Sequence, residues 1–394
     1  MRTSVRFTVS AVAVSATVLA GLAAVAANSA GAAGSQHTVV VQRAASGAIK
    51  GAYIVRLKAG TDARGLAWAL QVSPRFVYTA AVNGFAADLT DGQLRALQRN
   101  AGVEAISEDA YVTDALEDTQ PNPPSWGIDR ADQRNLPLSA SYTYTAQGTG
   151  VNAYVIDTGI DVTHPDFEGR AVFEVNYIDR KNTDCDGHGT HVAGTVGSQT
   201  YGIAKDVRLH AVKILNCNGG GRTSATIKGV DWVTANAVKP AVANTSWNWS
   251  ADSTLEASLR AMISSGVFLA TSAGNTGADS CDRLPRKIET ALVTAASDKN
   301  DNRASYSSTG ACVDIYAPGS EILSTQPNNT TAVYNGTSMA TPHVTGTAAL
   351  YLQGNPTATP AQVKTYLENA ATPDVVIGGS TGGTVNRLLY TNGL

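Results

Sequence analysis

The chain is poor in charge. Only 15% of its 394 residues are Asp, Glu, Lys or Arg, against about a quarter in an ordinary globular protein. With 43% hydrophobic residues, disorder driven by charge is excluded and a sizeable core is possible. Neither sign of charge dominates, since 29 Lys and Arg face 32 Asp and Glu for a net charge of −3. A general electrostatic attraction to nucleic acid is therefore absent, and no nucleic-acid partner is expected. After Ala27 no apolar run is long enough to cross a bilayer. Cysteine is scarce as well: the four residues Cys185, Cys217, Cys281 and Cys312 show no C-x-x-C spacing. That speaks against a zinc site, and none of them sits in a nucleophile motif. Glycine, by contrast, is plentiful at 37 residues, a sign of tight turns and close backbone approaches.

The one long apolar run stands at the start. Arg2 and Arg6 precede Phe7 to Ala27, and Ala30-Gly31-Ala32 follows as a small-residue cleavage site. This is the order of a secretory signal peptide, assigned to residues 1–32. The run is built of Ala, Val and Ser rather than Leu and Phe, which favours removal over retention as an anchor. The protein is accordingly expected to be secreted and extracellular, off the membrane after signal removal, and monomeric. In an oxidising compartment four cysteines read as two disulfides, with three pairings open.

Two textures follow the signal. Residues 33–113 form a first region with a folded core at about 50–112. There Ala52 to Leu57, Phe85 to Leu89 and Val103 to Ile106 alternate like strands, while Asp62 to Gln71 and Asp91 to Arg99 have helical spacing. This β-α-β-α-β order predicts a small α+β module. Residues 114–125 (DALEDTQPNPPS) collect turn formers without apolar period and read as a linker. Over 126–394 the pattern alternates between β-branched runs (Val151 to Ile156, Val207 to Ile214, Val242 to Ser246, Val267 to Ser272, Leu292 to Ala296) and helical stretches such as Thr190 to Gly197, Ser224 to Ala237 and Ser253 to Ser264. The fold class is therefore α/β: a mostly parallel sheet covered on both faces, with function at the carboxyl ends of its strands.

Three segments stand where that rule places chemistry. Asp157-Thr158-Gly159 follows an apolar strand, which can bury and aim a carboxylate. His188-Gly189-Thr190-His191 enters a small-residue helix; its two histidines lack the Glu of a zincin, and tight packing around His188 suits an imidazole held by a carboxylate with its other nitrogen free as a base. Gly336-Thr337-Ser338 leads into the helical run Val344 to Leu352, where a serine hydroxyl meets the positive helix terminus; taken alone it reads as an N-cap. The chain order Asp157, His188, Ser338 is one of the known orders of a nucleophile triad.

The segments YVIDTGID (Tyr154 to Asp161), GHGTHVAGTVG (Gly187 to Gly197) and GTSMATPHVTG (Gly336 to Gly346) resemble the three active-site blocks of the subtilisin-like serine proteases. WGIDRADQRNLPL, CNGGGRTSATIKGVDWV and NRASYSSTGACVDIYAPG are similar to the proteinase K and aqualysin group within them. YIVRLK, NGFAADL and VEAISED in the first region resemble that family's inhibitory propeptide.

The resemblance implies a three-layer subtilisin-like domain acting as a serine endopeptidase on proteins or peptides, made as a precursor and inhibited by its own propeptide. It implies Ser338 as nucleophile, His188 as base, Asp157 as the orienting carboxylate and Asn275 as oxyanion donor. It further implies substrate contacts at Ser246, Trp247, Asn248, Ser272, Ala273 and Gly274, and disulfides Cys185–Cys217 and Cys281–Cys312. Structural calcium, with no organic cofactor, is implied at Asp129, Asp132 and Gln133, which share one face of a helical turn, and at Asp314. The sequence departs from the family where a Ser-Leu-Gly-Gly strand is replaced by Ser246-Trp247-Asn248-Trp249, expected to narrow the cleft and lose glycine-specific backbone angles. The stretch Asp282 to Lys287 is also more basic than the family pattern beside the primary pocket. A catalytically weak homologue that binds peptides is the alternative reading of that altered strand.

Overall fold

The computed structural model describes residues 38–43, 48–110 and 118–394; the expected signal peptide and the beginning of the expected linker lie outside the described residues. The chain divides into two units, Met1–Val112 and Thr113–Leu394, each taken here by itself.

In the first unit a five-stranded sheet has the order Val41–Gln42, Val103–Ala110, Ala48–Leu57, Gly84–Asp88, Phe76–Tyr78. Helices Ala63–Ala69 and Asp91–Gln98 join its strands. The second helix is started by a capping box, in which Thr90 and Gln93 satisfy each other's backbone N–H groups. Val55, Leu57, Phe85, Ala87 and Ile106 close on Ala67 and Leu97 as a small core. The α+β reading holds, with two short strands, Val41–Gln42 and Phe76–Tyr78, added at the edges.

The second unit is built on strands whose residues are buried on both faces, as in Asn152–Asp157, where all six are buried. Alternation along that strand sends Ala153 and Val155 to one core and Tyr154 and Ile156 to the other. A sheet with two apolar faces must be covered twice. Helices His188–Gly197, Thr337–Gly354 and Pro360–Ala370 supply the first core, and Thr223–Asn236 and Ser253–Ser264 the second. The nine strands run Thr372–Pro373, Arg387–Leu388, Ile315–Pro318, Leu292–Ser297, Val267–Ser272, Ala241–Thr245, Asn152–Asp157, Arg208–Lys213, Ala171–Asn176. All neighbours are parallel except the first pair. The α/β class is as expected, and the carboxyl ends of the adjacent strands lie close to level, with Asn244 opposite Val155, Thr245 opposite Thr271 and Lys213 opposite Asp157.

Part of the expected linker is ordered. Asp118–Pro121 pairs antiparallel with Ser141–Tyr144, and the Gln120 side chain donates to Thr200 O while accepting from Lys205 Nζ. Turn-forming composition marked the bend that follows at Asn122 and missed a short strand before it. Two disulfides, Cys185–Cys217 and Cys281–Cys312, are present, the pairing that the resemblance implies.

Each bridge closes a loop of about thirty residues, for which restriction of the unfolded chain contributes about 3 kcal/mol. A Cys281→Ser, Cys312→Ser double variant should therefore unfold at lower denaturant concentration by about that amount, as followed by circular dichroism. An unchanged midpoint would show that the bridge constrains nothing.

Candidate active site

The parallel sheet delivers Asp157 as the last residue of its central strand. His188 opens the helix His188–Gly197, and Gly187 before it has φ +106, a left-handed conformation suited to glycine. A Cβ there would also strike the Gln326 side chain.

Between these two elements lies a residue bonded to both, Asp184. Asp184 is 3% exposed, and both its oxygens are saturated. Oδ1 accepts from Thr158 Oγ1 at 2.9 Å, Asp186 N at 3.0 Å and Gly187 N at 2.9 Å. Oδ2 accepts from Thr190 N at 2.8 Å and Thr190 Oγ1 at 2.7 Å. Thr158 Oγ1 in turn accepts from Gly189 N at 2.8 Å. A carboxylate beside helix amides is favoured by the helix dipole, so this network ties the end of the Asp157 strand to the first turn of the His188 helix.

The result is a short contact: His188 Nδ1 to Asp157 Oδ1 at 2.7 Å. A carboxylate only accepts, so Nδ1 carries the proton and Nε2 keeps its lone pair. Burial alone would lower the pKa of His188, but the Asp157 carboxylate, with Asp186 and Asp184 behind it, overrides this and raises it above the ordinary histidine value. The second histidine of the segment behaves differently. His191 is buried, shares its Nε2–H between the carbonyls of Ile322 and Ala332, and stacks on Tyr334. Burial lowers its pKa to about 4, so it stays neutral, and with Nε2 committed to two carbonyls it reads as a structural imidazole; among the described residues no metal-ligating cluster includes it.

Ser338 lies within the first turn of the helix Thr337–Gly354, whose N-cap is Gly336; it is not the cap residue. Its hydroxyl donates to Ser246 O at 3.0 Å, and Ser246 Oγ donates back to Ser338 O at 3.0 Å. Asn275 follows the strand Val267–Ser272. Its Oδ1 accepts from both Thr337 N and Thr337 Oγ1 at 2.9 Å, which assigns the amide and leaves Nδ2 beside Gly336. Ser338 N belongs to a helix's first turn, where amides lack intrahelical acceptors. Two N–H donors are thus offered near one hydroxyl.

A cleft of about 450 Å³ runs from these groups, lined by Thr158, His188, Leu215, Gly220, Asn248 and Trp249 among others. Trp247 also borders it, but mostly from behind. Trp247 is 6% exposed and donates its indole N–H to Ile156 O at 2.7 Å, so that ring packs into the core. Neither Trp247, Asn248 nor Trp249 has positive φ; the backbone needs no glycine there. At the end of the neighbouring strand Ser272, Ala273 and Gly274 are buried, and Gly274 lies against the guanidinium of Arg286.

The two calcium candidates differ. At the first, Asp129 Oδ1 accepts from Ser139 N and Oγ, Asp129 Oδ2 from Ala140 N, and Gln133 Oε1 from Ser139 N. Asp132 Oδ1, however, is buried without a partner. Its pKa is pushed up to about 6 by burial and by the neighbouring Asp129, so this pair of carboxylates fits a cation. Asp314 does not. Its Oδ2 accepts from Val293 N at 2.8 Å and from Lys364 Nζ at 2.9 Å, and the same ammonium donates to the carbonyls of Glu289 at 2.9 Å and Ala291 at 2.7 Å. One carboxylate and two carbonyls are a hard-cation set, but a lysine already sits in it. Among the described residues Asp179, Cys185 and Cys217 also converge; their sulfurs are bonded to each other and offer no thiolate.

Sequence reasoning missed Asp184, Thr337 and Lys364, whose roles depend on distant partners. The acidic pair Asp184 and Asp186 just before His188 was the one local signal for the first.

Comparison with known proteins agrees with this geometry. Residues 148–390 match the model of the subtilase family and residues 70–114 that of the peptidase inhibitor I9 family. The extracellular serine proteinase of Thermus sp. (strain Rt41A) is 47% identical over 80% of this chain and 77% of its own length. The cuticle-degrading protease of Metarhizium anisopliae is 41% identical over 82% of this chain and 84% of its own. The crystal structure of a cold adapted subtilisin-like serine proteinase superposes with a TM-score of 0.66 at 44% identity, over 68% of this chain and 97% of that one. A matching family model over most of the second unit, together with relatives at this identity, places the chain in the subtilase family of serine proteinases, with an I9 inhibitor propeptide domain before it.

Proposed function

We propose that the protein is a secreted serine endopeptidase made as a self-cutting precursor, and that Asp157, His188 and Ser338 are its triad. The observation that carries this is the 2.7 Å His188–Asp157 contact together with the Ser338 hydroxyl, which is bonded to Ser246 in the cleft that His188 lines. Ser338 turns its hydroxyl from Ser246 O towards His188 Nε2, which takes the proton as Oγ attacks the scissile carbonyl. Asp157 holds the ring and stabilises the imidazolium. Asn275 Nδ2 and Ser338 N–H receive the oxyanion. His188 then protonates the leaving amine, and water releases the acyl group by the same steps reversed. Substrate backbone lies between Ser246–Asn248 and Ser272–Gly274, and the I9 domain serves as intramolecular inhibitor until it is degraded. The cut falls between Asp114 and Gln120.

Labelling of processed protein with a serine-directed phosphonate tests the reading. Modification should map to Ser338 by mass spectrometry; absence of label would favour the peptide-binding alternative. A Ser338→Ala chain made in a protease-free host should accumulate uncut, and normal processing of it would exclude self-cleavage.

Because His188 must be neutral to act as base, kcat/KM should rise with pH through a value above that of free histidine. Asp157→Asn should lower turnover by roughly four orders of magnitude and shift that limb to lower pH, since burial is then opposed only by the more distant Asp186 and Asp184. A pH–rate series on both forms measures it; an unmoved limb would dissociate Asp157 from the base.

We further propose that Asp129 and Asp132 hold structural calcium, with Gln133 alongside, and that the Asp314 locus is calcium-free. Millimolar calcium should raise the thermal midpoint of the wild type but not of Asp132→Asn, while in chelator that variant should be the more stable of the two, having lost a buried unpartnered charge. Lys364→Ala should cost about 2 kcal/mol whether or not chelator is present. Scanning calorimetry with calcium and with chelator distinguishes these outcomes.

A further inference from the structure

The basic stretch Asp282 to Lys287 is not uniformly a surface feature. Arg283 and Lys287 are exposed, whereas Arg286 is 2% exposed. A buried guanidinium normally forks onto a carboxylate, as Arg130 does in this protein on Asp301 at 2.8 and 3.0 Å. Arg286 has no such partner. Its Nη1 donates to Ser280 Oγ, while Nε and Nη2 are buried with no acceptor. The nearby acid, Asp282, is largely exposed and leans towards Arg283 at 3.9 Å. Burial first, then Arg283, pulls the pKa of Arg286 down to about 10, so the group remains cationic at neutral pH. An uncompensated buried cation is costly and needs an explanation.

Its position gives one. The segment carrying Arg286 is pinned to one wall of the cleft by the reciprocal backbone bonds of Leu284 and Trp249, both 3.0 Å. From there the side chain reaches the backbone just past the strand Val267–Ser272: a Cβ added to Gly274 would come within 2.4 Å of Nη1 and 2.8 Å of Nη2. Gly274 directly precedes Asn275, the oxyanion donor proposed above. The guanidinium therefore stands at Gly274, next to where the residue supplying the scissile carbonyl must place its side chain.

We propose that Arg286 is a specificity-determining residue that receives the carboxylate of an acidic side chain, Asp or Glu, on the residue whose carbonyl Ser338 attacks. The inference rests on the triad reading. The free Nε–H and Nη2–H donors form the parallel fork that a carboxylate matches bidentately. A neutral amide of the same shape presents one oxygen and two mismatched hydrogens, and a large apolar side chain leaves the charge unpaired. The substrate supplies the counter-charge that the fold omits.

The test uses processed wild type, first labelled with the serine-directed phosphonate, and a set of fluorogenic peptides differing only at that residue (Glu, Asp, Gln, Leu, Phe). Glu or Asp should exceed Gln by at least about 100-fold in kcat/KM. Arg286→Met should abolish that ratio and raise hydrolysis of the Leu peptide, with phosphonate labelling retained as proof of a folded site; Arg286→Lys should keep part of the acidic preference. A labelled wild type that prefers Leu or Phe, with the preference unmoved in Arg286→Met, overturns this inference alone. A wild type that takes no label overturns the triad reading and this one with it.

Discussion

Asp184 is the interaction on which the site depends. A buried carboxylate is tolerable only when its lone pairs are filled, and this one takes five donors from Thr158, Asp186, Gly187 and Thr190. The donors come from two elements that already share a core, the exit of a strand and the entrance of a helix, and the carboxylate fixes their ends against each other. Satisfying one anion thus sets the distance between Asp157 and His188. Thr337 does the corresponding work on the other side, accepting from Gly274 N and donating to Asn275 Oδ1. The groups proposed to act on substrate are held by polar groups outside that set, the arrangement preorganisation requires.

The parallel sheet makes this economical. Strands buried on both faces cannot slip register without exposing apolar side chains, so their carboxyl ends are fixed relative to one another. A larger hollow, lined by Lys239, Ile263, Phe268 and Leu352, opens at the amino ends of the strands. It gathers no comparable set of polar groups. Chemistry follows the strand direction rather than the size of the cavity.

How much of this was legible in the sequence depended on range. Strand and helix alternation needs only neighbours, so the fold class and the helix Ser253–Ser264 were readable to the residue. Asp157, His188 and Ser338 announced themselves because each stands in its own glycine-flanked segment. Short pieces carry no period of their own: Phe76–Tyr78 is set by its hairpin with Gly84–Asp88, and Arg387–Leu388 by pairing with the remote strand Ile315–Pro318. The helix Pro360–Ala370 did carry a local signal, a capping box at Thr359 and Gln362, that periodicity alone passes over. Expectations failed where a side chain's direction mattered. Trp247 counted as bulk in the cleft, yet its N–H found Ile156 O and the ring went inward. Asp314 counted as a calcium ligand, yet its partner Lys364 lies 50 residues away in sequence.

That lysine changes what the second unit asks of its surroundings. A dissolved cation stabilises by mass action, so its contribution rises and falls with the free concentration outside. An ammonium on the helix Pro360–Ala370 is present at an effective concentration set by the chain itself. It cannot be diluted away or sequestered by phosphate, and it spans the gap between the loop at Glu289–Ala291 and a helix late in the sequence. The carbonyls of that loop are thereby paired by the chain itself, so their pairing depends on the late helix being in place rather than on the ionic composition of the medium.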